Sequence, residues 1–131
     1  MKIKRILFVC KYNRFRSKVS EEMFKELNKD KNIEVGSAAS ESDYIPVAKN
    51  VQKVLQELGY KPANPTPKKL TQELIDWADL IIVAADNVKV KTDKKIIYWK
   101  ISDTSQDDYK GILERAKDIE KRIKKLITML K

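Results

Sequence analysis

The residues best suited to chemistry stand close together near the start of the chain. They are Cys10, the only cysteine, then Arg16 and, directly after it, Ser17. A cysteine thiolate is a nucleophile, and a guanidinium is a planar fork of donors that matches phosphate oxygens. A nucleophile and an anion-binding fork in one short stretch point to phosphoryl transfer. Such side chains need a rigid support on both sides. Before Cys10 the run Ile6-Leu7-Phe8-Val9 is apolar without a break, as a strand covered on both faces must be. From Ser17 to about Asn28, the positions Val19, Met23, Phe24 and Leu27 have helical spacing, with Glu21 and Glu22 in the early turns to complement the dipole. Strand, loop and helix N-terminus in succession form a ready anion site, because unpaired amides and the helix dipole both favour negative charge. The same surroundings favour the thiolate. A lone cysteine after an apolar strand is more often a small buried hydrophobe. Here its place at the first strand's carboxyl end, where open α/β sheets bind ligands, favours the functional reading.

The rest of the chain supplies the sheet and helices that this loop requires. Residues 3–9 read as the first strand, Ile33-Glu34-Val35 as a short second one, and Gly36-Ser37-Ala38-Ala39-Ser40 as the loop leaving it. A second helix is predicted from about Pro46 to Leu58, with Pro46 near its first position and Gly59 as its stop. The proline-bearing stretch Lys61 to Pro67 reads as a loop inside the domain, and Thr71 as the cap of a short helix ending near Trp77. Asp79 to Ala85 and Lys95 to Trp99 read as buried strands, with a basic turn from Asn87 to Lys94 between them. Ser105-x-x-Asp108 resembles a capping box before a final helix, whose stripe Ile112, Ala116, Ile119, Ile123, Leu126 and Leu130 faces the core. Alternating strands and helices predict an α/β fold: a three-layer α-β-α arrangement around a four-stranded parallel sheet in the order 2-1-3-4. That order sets the loop after the first strand at the topological switch point.

Composition narrows the function classes. A chain of 131 residues, 42% apolar and 36% charged, is long enough for one domain with a proper core and is not disordered. No apolar run approaches the roughly 20 residues of a membrane span, so no membrane association is expected. The charged start Met1 to Arg5 leads straight through a short apolar run into Cys10-Lys11, with no small-residue cleavage site, and reads as strand rather than secretion signal. One cysteine forms no internal disulfide and fits a reducing cytoplasm. With no histidine and a single cysteine, neither a zinc site nor histidine acid–base chemistry is expected, and no cofactor is called for. The net charge of +9 is spread along the chain and mostly alternates with acids, so it reads as a solvated Lys/Glu surface, with attraction of an anionic substrate or partner as the alternative, and not as a nucleic-acid footprint.

The stretch Val9-Cys10-Lys11-Tyr12-Asn13-Arg14-Phe15-Arg16-Ser17 resembles the signature loop of the low-molecular-weight protein tyrosine phosphatases, V-C-x-G-N-x-C-R-S. Thioredoxin-coupled arsenate reductases share that family shape. Gly36 to Ser40 resembles the family's S-A-G-like loop, Ala78 to Ala84 its A-D-L-I strand, and Ile101-Ser102-Asp103-Thr104 with Asp108-Tyr109 its I-x-D-P…D-F ending. The resemblance covers most of the chain and implies one phosphatase-like domain over residues 1–131. It also implies roles. Cys10 attacks phosphorus and becomes a phosphocysteine, while Arg16 and the backbone amides of Lys11, Tyr12, Asn13, Arg14, Phe15 and Arg16 bind the phosphoryl oxygens. Asn13 holds the loop open, and Ser17 donates to the thiolate. Asp103 serves as general acid and then as base. Chemistry alone asks for some acid, and Asp107 and Asp108 are the rivals, read as dipole partners of the last helix.

The departures from the pattern are as informative as the matches. Tyr12 stands in place of glycine, and Phe15 in place of the second cysteine, which removes a protective disulfide. Thr104 stands in place of proline after the acid, which predicts a less rigid acid loop. Ser105 and Gln106 stand where tyrosines wall the substrate, leaving Tyr12, Phe15 or Tyr44 as candidate aromatic walls. The expected substrate is a phosphorylated protein or a small phosphomonoester, with phosphate or arsenate as simple anion ligands. Arsenate reduction by a three-cysteine relay is closed to a chain with one cysteine. Reduction through an external thiol, and a phosphate-binding regulator without turnover, remain as alternatives. A phosphocysteine carrier shares the strand–cysteine–loop but not Arg16-Ser17 or the Asp103 segment.

Overall fold

In the computed structural model, which describes residues 2–131, the apolar strand β1 (Arg5–Cys10) lies inside a parallel sheet. Strand β2 (Glu34–Ala39) flanks it on one side and β3 (Leu80–Val83) on the other, and β4 (Lys95–Tyr98) completes the order β2-β1-β3-β4. Met1, part of the charged N-terminal stretch and of the 1–131 span, lies outside the described residues. The helices are α1 (Arg16–Leu27), α2 (Lys49–Glu57), α3 (Gln72–Trp77) and α4 (Tyr109–Leu130).

The unbroken apolar run of β1 has a direct reason. Its side chains alternate between two faces, and both faces are covered. Ile6 and Phe8 pack with Val19 and Phe24 of α1, Leu55 of α2, and Ile112 and Ile119 of α4. Leu7 and Val9 point the other way, into a smaller core with Ile75 of α3, Ala78 and Val88. The sheet is therefore the middle of three layers, as expected. Phe8 is central to the larger core, with ring centroids 6.2 Å from Phe24 and 5.8 Å from Trp99. The predicted stripe of α4 from Ile112 to Leu126 is buried throughout.

Five local expectations need correction. β4 is not a buried strand: it lies at the sheet's edge, with Lys95 and Tyr98 exposed and Ile96 and Ile97 only partly buried. Gly36 to Ala39 is not a loop: it extends β2, with Leu7, Phe8, Val9 and Cys10 opposite Gly36, Ser37, Ala38 and Ala39. These small residues are poor strand formers on their own, and the ladder against a fully buried strand overrides them. Helix α2 begins at Lys49 rather than near Pro46, because the Pro46 carbonyl accepts from Arg14 Nε and the Val47 amide is bound by the Pro65 carbonyl. No capping box forms at α4. Asp108 alone caps it, accepting from the Gly111 amide, while Ser105 Oγ accepts from the Asp107 amide. Glu21 and Glu22 lie beyond the first turn of α1, so they do not serve its dipole; Glu21 accepts instead from Ser37 Oγ.

Phe8→Ala is expected to lose about 3–5 kcal/mol of stability in urea denaturation, the usual cost of deleting a buried ring. A loss below about 1 kcal/mol would show that α1 and β4 do not depend on this ring.

Candidate active site

The loop between β1 and α1 is held open by one buried side chain, Asn13, which is 0% exposed and has a left-handed backbone with φ of 55°. Asparagine tolerates that conformation better than most residues because its short side chain bonds locally. The left-handed turn falls on Asn13 and not on Tyr12, which explains why a bulky residue stands in place of glycine at position 12. Every hydrogen-bonding group of the Asn13 carboxamide is used. The Lys68 amide donates to Oδ1 at 2.9 Å, and Nδ2 donates to Ser17 Oγ at 2.7 Å and Ser37 Oγ at 3.0 Å.

This arrangement orders the protons. A backbone amide only donates, so Oδ1 must be the acceptor and Nδ2 the double donor. Ser17 Oγ therefore accepts from Asn13 and keeps its one proton free; Cys10 Sγ lies 2.9 Å away, and a thiolate there can only accept it. Ser37 likewise passes its proton to Glu21 Oε1. Cys10 Sγ also receives the Asn13 amide at 3.3 Å, so two donors converge on the sulfur. Phe15 at the N-cap of α1 brings no side-chain acceptor, so the first-turn amides are not capped by it.

Arg16 is 2% exposed and its Nη1 donates to the Ile101 carbonyl at 2.8 Å. Two carboxylates stand at 3.6 Å, Asp86 from Nη1 and Asp103 from Nη2. Both lie beyond hydrogen-bond distance, so the guanidinium is aimed by its neighbours without being saturated by them. A cavity of about 180 Å³ opens between these groups, lined by Cys10, Tyr12, Arg14, Phe15, Arg16 and the segment Asp103 to Gln106. That is smaller than the roughly 300–1,000 Å³ of drug-sized pockets and suits a phosphoryl-sized anion with a small leaving group.

The structure brings Cys10, Arg16, Ser17, Asn13 and Asp103 together. Tyr12 and Phe15 line the cavity, and Lys11 Nζ lies 5.3 Å from the centre of the Tyr12 ring. Tyr44 does not line it and is 66% exposed. Asp107 and Asp108 do not line it either. The Gly111 amide and then the Thr104 hydroxyl hold the Asp108 carboxyl below the ordinary value for aspartate, as befits a cap that stays ionised. Among the residues that sequence reasoning passed over, Asp86 has the clearest signal. It follows the carboxyl end of β3, where α/β sheets collect functional side chains. Ser37 lies in the stretch that resembles the family's S-A-G-like loop but was given no role, and the Lys68 amide gave no signal, because their part depends on the position of Asn13. Lys18, buried beside the loop, ties α1 to the Thr66 carbonyl at 2.8 Å and so brings Lys68 to Asn13; burial pulls its pKa down.

The family model described as low molecular weight phosphotyrosine protein phosphatase matches residues 5–98, from the start of β1 to the end of β4. The chain belongs to this family. Several solved structures of the low molecular weight phosphatase fold are similar. An arsenate reductase from Archaeoglobus fulgidus is 30% identical with a TM-score of 0.82, over 94% of this chain and 98% of that one. A low molecular weight protein tyrosine phosphatase from T. tengcongensis is 25% identical with a TM-score of 0.84, over 97% and 99%. The YwlE arginine phosphatase from Geobacillus stearothermophilus, 22% identical with a TM-score of 0.85 over 97% and 92%, shares the fold. No curated protein matches the chain. Within the family frame, the Asn13 network is the part of the site that the rest of the loop leans on.

Asn13→Ala leaves the Lys68 amide without its acceptor and takes a donor from each of Ser17 Oγ and Ser37 Oγ, which keep their bonds to Cys10 and Glu21. It is expected to cost about 3 kcal/mol in urea denaturation, within the usual penalty of about 1–3 kcal/mol per unpaired buried group. Ser37→Ala, which leaves the Ser17 and Lys68 bonds intact, is expected to cost about 1 kcal/mol. Equal costs for the two variants would contradict the central place of Asn13.

Proposed function

We propose that the chain is a cysteine-based phosphomonoester hydrolase, acting as one phosphatase-like domain over residues 1–131 through a phosphocysteine at Cys10. The observation that carries this reading is the proton order at the sulfur. Ser17 Oγ, supplied by Asn13, has its proton for Cys10, while Arg16 and Asp103 stand on the same small cavity.

The steps follow from the geometry. The phosphoryl oxygens sit on Arg16 and on the loop amides, which stabilise charge that grows in the transition state. The Cys10 thiolate attacks phosphorus and an S–P bond forms. As the P–O bond to the leaving group breaks, Asp103 gives its proton to the departing oxygen. Water then attacks phosphorus and yields its proton to the Asp103 carboxylate. The S–P bond breaks, phosphate leaves, and Ser17 stabilises the returning thiolate. Phe15 supplies no second thiol to the loop, so an oxidised Cys10 has no internal resolving partner, which suits a reducing compartment such as the cytoplasm. The wall beyond Asp103 is Thr104, Ser105 and Gln106, with Tyr12 as the aromatic surface. Phosphorylated proteins and small phosphomonoesters are the substrate class.

The A. fulgidus relative favours a second reading, arsenate reduction. With one cysteine the two electrons must come from an external thiol pair, which leaves as a disulfide while arsenate becomes arsenite. Arsenate consumption with dithiol and without phosphate-ester hydrolysis would favour it.

Hydrolysis of p-nitrophenyl phosphate separates these readings. The wild type is expected to turn over with a chelator present, and Cys10→Ser is expected to abolish turnover. Asp103→Asn is expected to reduce turnover of phenyl phosphate, whose leaving group needs a proton, by about 10²–10⁴, the usual weight of a general acid, and that of p-nitrophenyl phosphate by less. A wild type that binds phosphate but hydrolyses nothing would sink the phosphatase reading and leave a binding protein.

A further inference from the structure

The segment that carries Asp103 lacks the proline that follows the acid in the family pattern, yet it is not loose. Its ends are pinned from three sides. Arg16 Nη1 donates to the Ile101 carbonyl at 2.8 Å, Arg115 donates to the Ser102 carbonyl at 2.8 Å and to Ser102 Oγ at 3.1 Å, and Asn50 Nδ2 donates to the Gln106 carbonyl at 2.9 Å. Only residues 103–105 remain to be fixed, and Thr104 sits in their centre. A proline there would restrict φ but would bring no donor. Thr104 brings two. Its amide donates to Asp103 Oδ1 at 2.8 Å, and its hydroxyl donates to Asp108 Oδ2 at 2.8 Å. The other oxygen of Asp108 accepts the Gly111 amide at 2.9 Å and caps α4, the long helix buried on the sheet. Gly111 makes room for this clasp: a Cβ there would overlap Asp108 Oδ2 and come within 3.0 Å of Thr104 Oγ1.

Resting on the phosphatase reading, we propose that Thr104 is a positioning residue for Asp103, which clasps the acid loop to the cap of α4 and selects the oxygen that carries the transferable proton. Oδ1 already accepts the Thr104 amide. The proton of the neutral acid therefore resides on Oδ2, the oxygen 3.6 Å from Arg16 Nη2 and on the side where the phosphoryl group binds. As the P–O bond breaks, that proton passes to the leaving oxygen and Asp103 remains as carboxylate. A misplacement of about 1 Å in such a group can cost on the order of 10²-fold in rate.

The test compares two esters, p-nitrophenyl phosphate, whose leaving group needs little protonation, and phenyl phosphate, whose leaving group needs much. Thr104→Val keeps the shape and the amide but removes the hydroxyl, Thr104→Ser keeps the hydroxyl, and Gly111→Ala displaces the clasp without touching Thr104. Thr104→Val and Gly111→Ala are expected to lose about tenfold or more in kcat/KM on phenyl phosphate and no more than about threefold on p-nitrophenyl phosphate, a part of the roughly 10²–10⁴ that acid catalysis supplies. Inhibition by inorganic phosphate should not move, and Thr104→Ser should behave as wild type. Asp103→Asn serves as the reference for the acid itself. If Asp103→Asn shows the leaving-group-selective loss and both clasp variants do not, the positioning role falls and the phosphatase reading stands. A wild type that hydrolyses neither ester overturns both.

Discussion

A buried carboxamide whose oxygen and both amide protons are engaged is the constraint on which this site depends. Asn13 joins three stretches that are far apart in sequence: the loop after β1, the strand β2 through Ser37, and the proline-bearing connection through the Lys68 amide. An unmet buried polar group costs about 1–3 kcal/mol, so the three stretches are held in register or the network fails as a unit. Because one partner is a backbone amide, the network also has a direction. The direction ends at Cys10, where the Ser17 hydroxyl and the Asn13 amide both point at sulfur. The left-handed turn at Asn13 is a local strain that the surrounding bonds sustain.

On the opposite side of the cavity the balance is electrostatic. Arg16 is almost fully removed from water, and a buried guanidinium without partners would be costly. The Ile101 carbonyl meets it directly, while Asp86 and Asp103 stand further off and are partly exposed. This leaves donors for an incoming anion and keeps two carboxylates close enough to orient the fork. The same Ile101 carbonyl also accepts the Asp86 amide at 3.1 Å, so the end of β3, the arginine and the acid loop meet at one oxygen. Placement of the segment that carries Asp103 is thus tied to placement of Arg16.

Much of this was legible in the residues, and the exceptions share a cause. β1, β3 and α4 carry their burial in their own pattern, an unbroken apolar run or a stripe at steps of three and four. The order of the sheet followed from alternation of strands and helices, and the position of Cys10 and Arg16 from the strand–loop–helix succession. What was hidden depends on partners distant in sequence. Gly36 to Ala39 become strand only because β1 lies beside them. The start of α2 is delayed because the Pro46 carbonyl and the Val47 amide serve other segments. Thr104 in place of proline predicts a less rigid acid loop, and its hydroxyl bond to Asp108 is a tie that its own pattern did not disclose. Ser37 acquires its place in the network only once β2 is aligned on β1. Local chemistry discloses which residues can react; tertiary pairing decides which of them meet.

In the proposed reaction the sulfur of Cys10 becomes bonded to phosphorus. The most direct test of that bond is phosphorus NMR of the Asp103→Asn variant, rapidly quenched during turnover of an aryl phosphate, with the Cys10→Ser, Asp103→Asn double variant as the control. A sulfur-linked phosphoryl resonance that digestion assigns to Cys10, and that the control lacks, is expected. Release of inorganic phosphate with no phosphorus on Cys10 at any time of quenching would contradict it, and would mean that water attacks the bound ester directly.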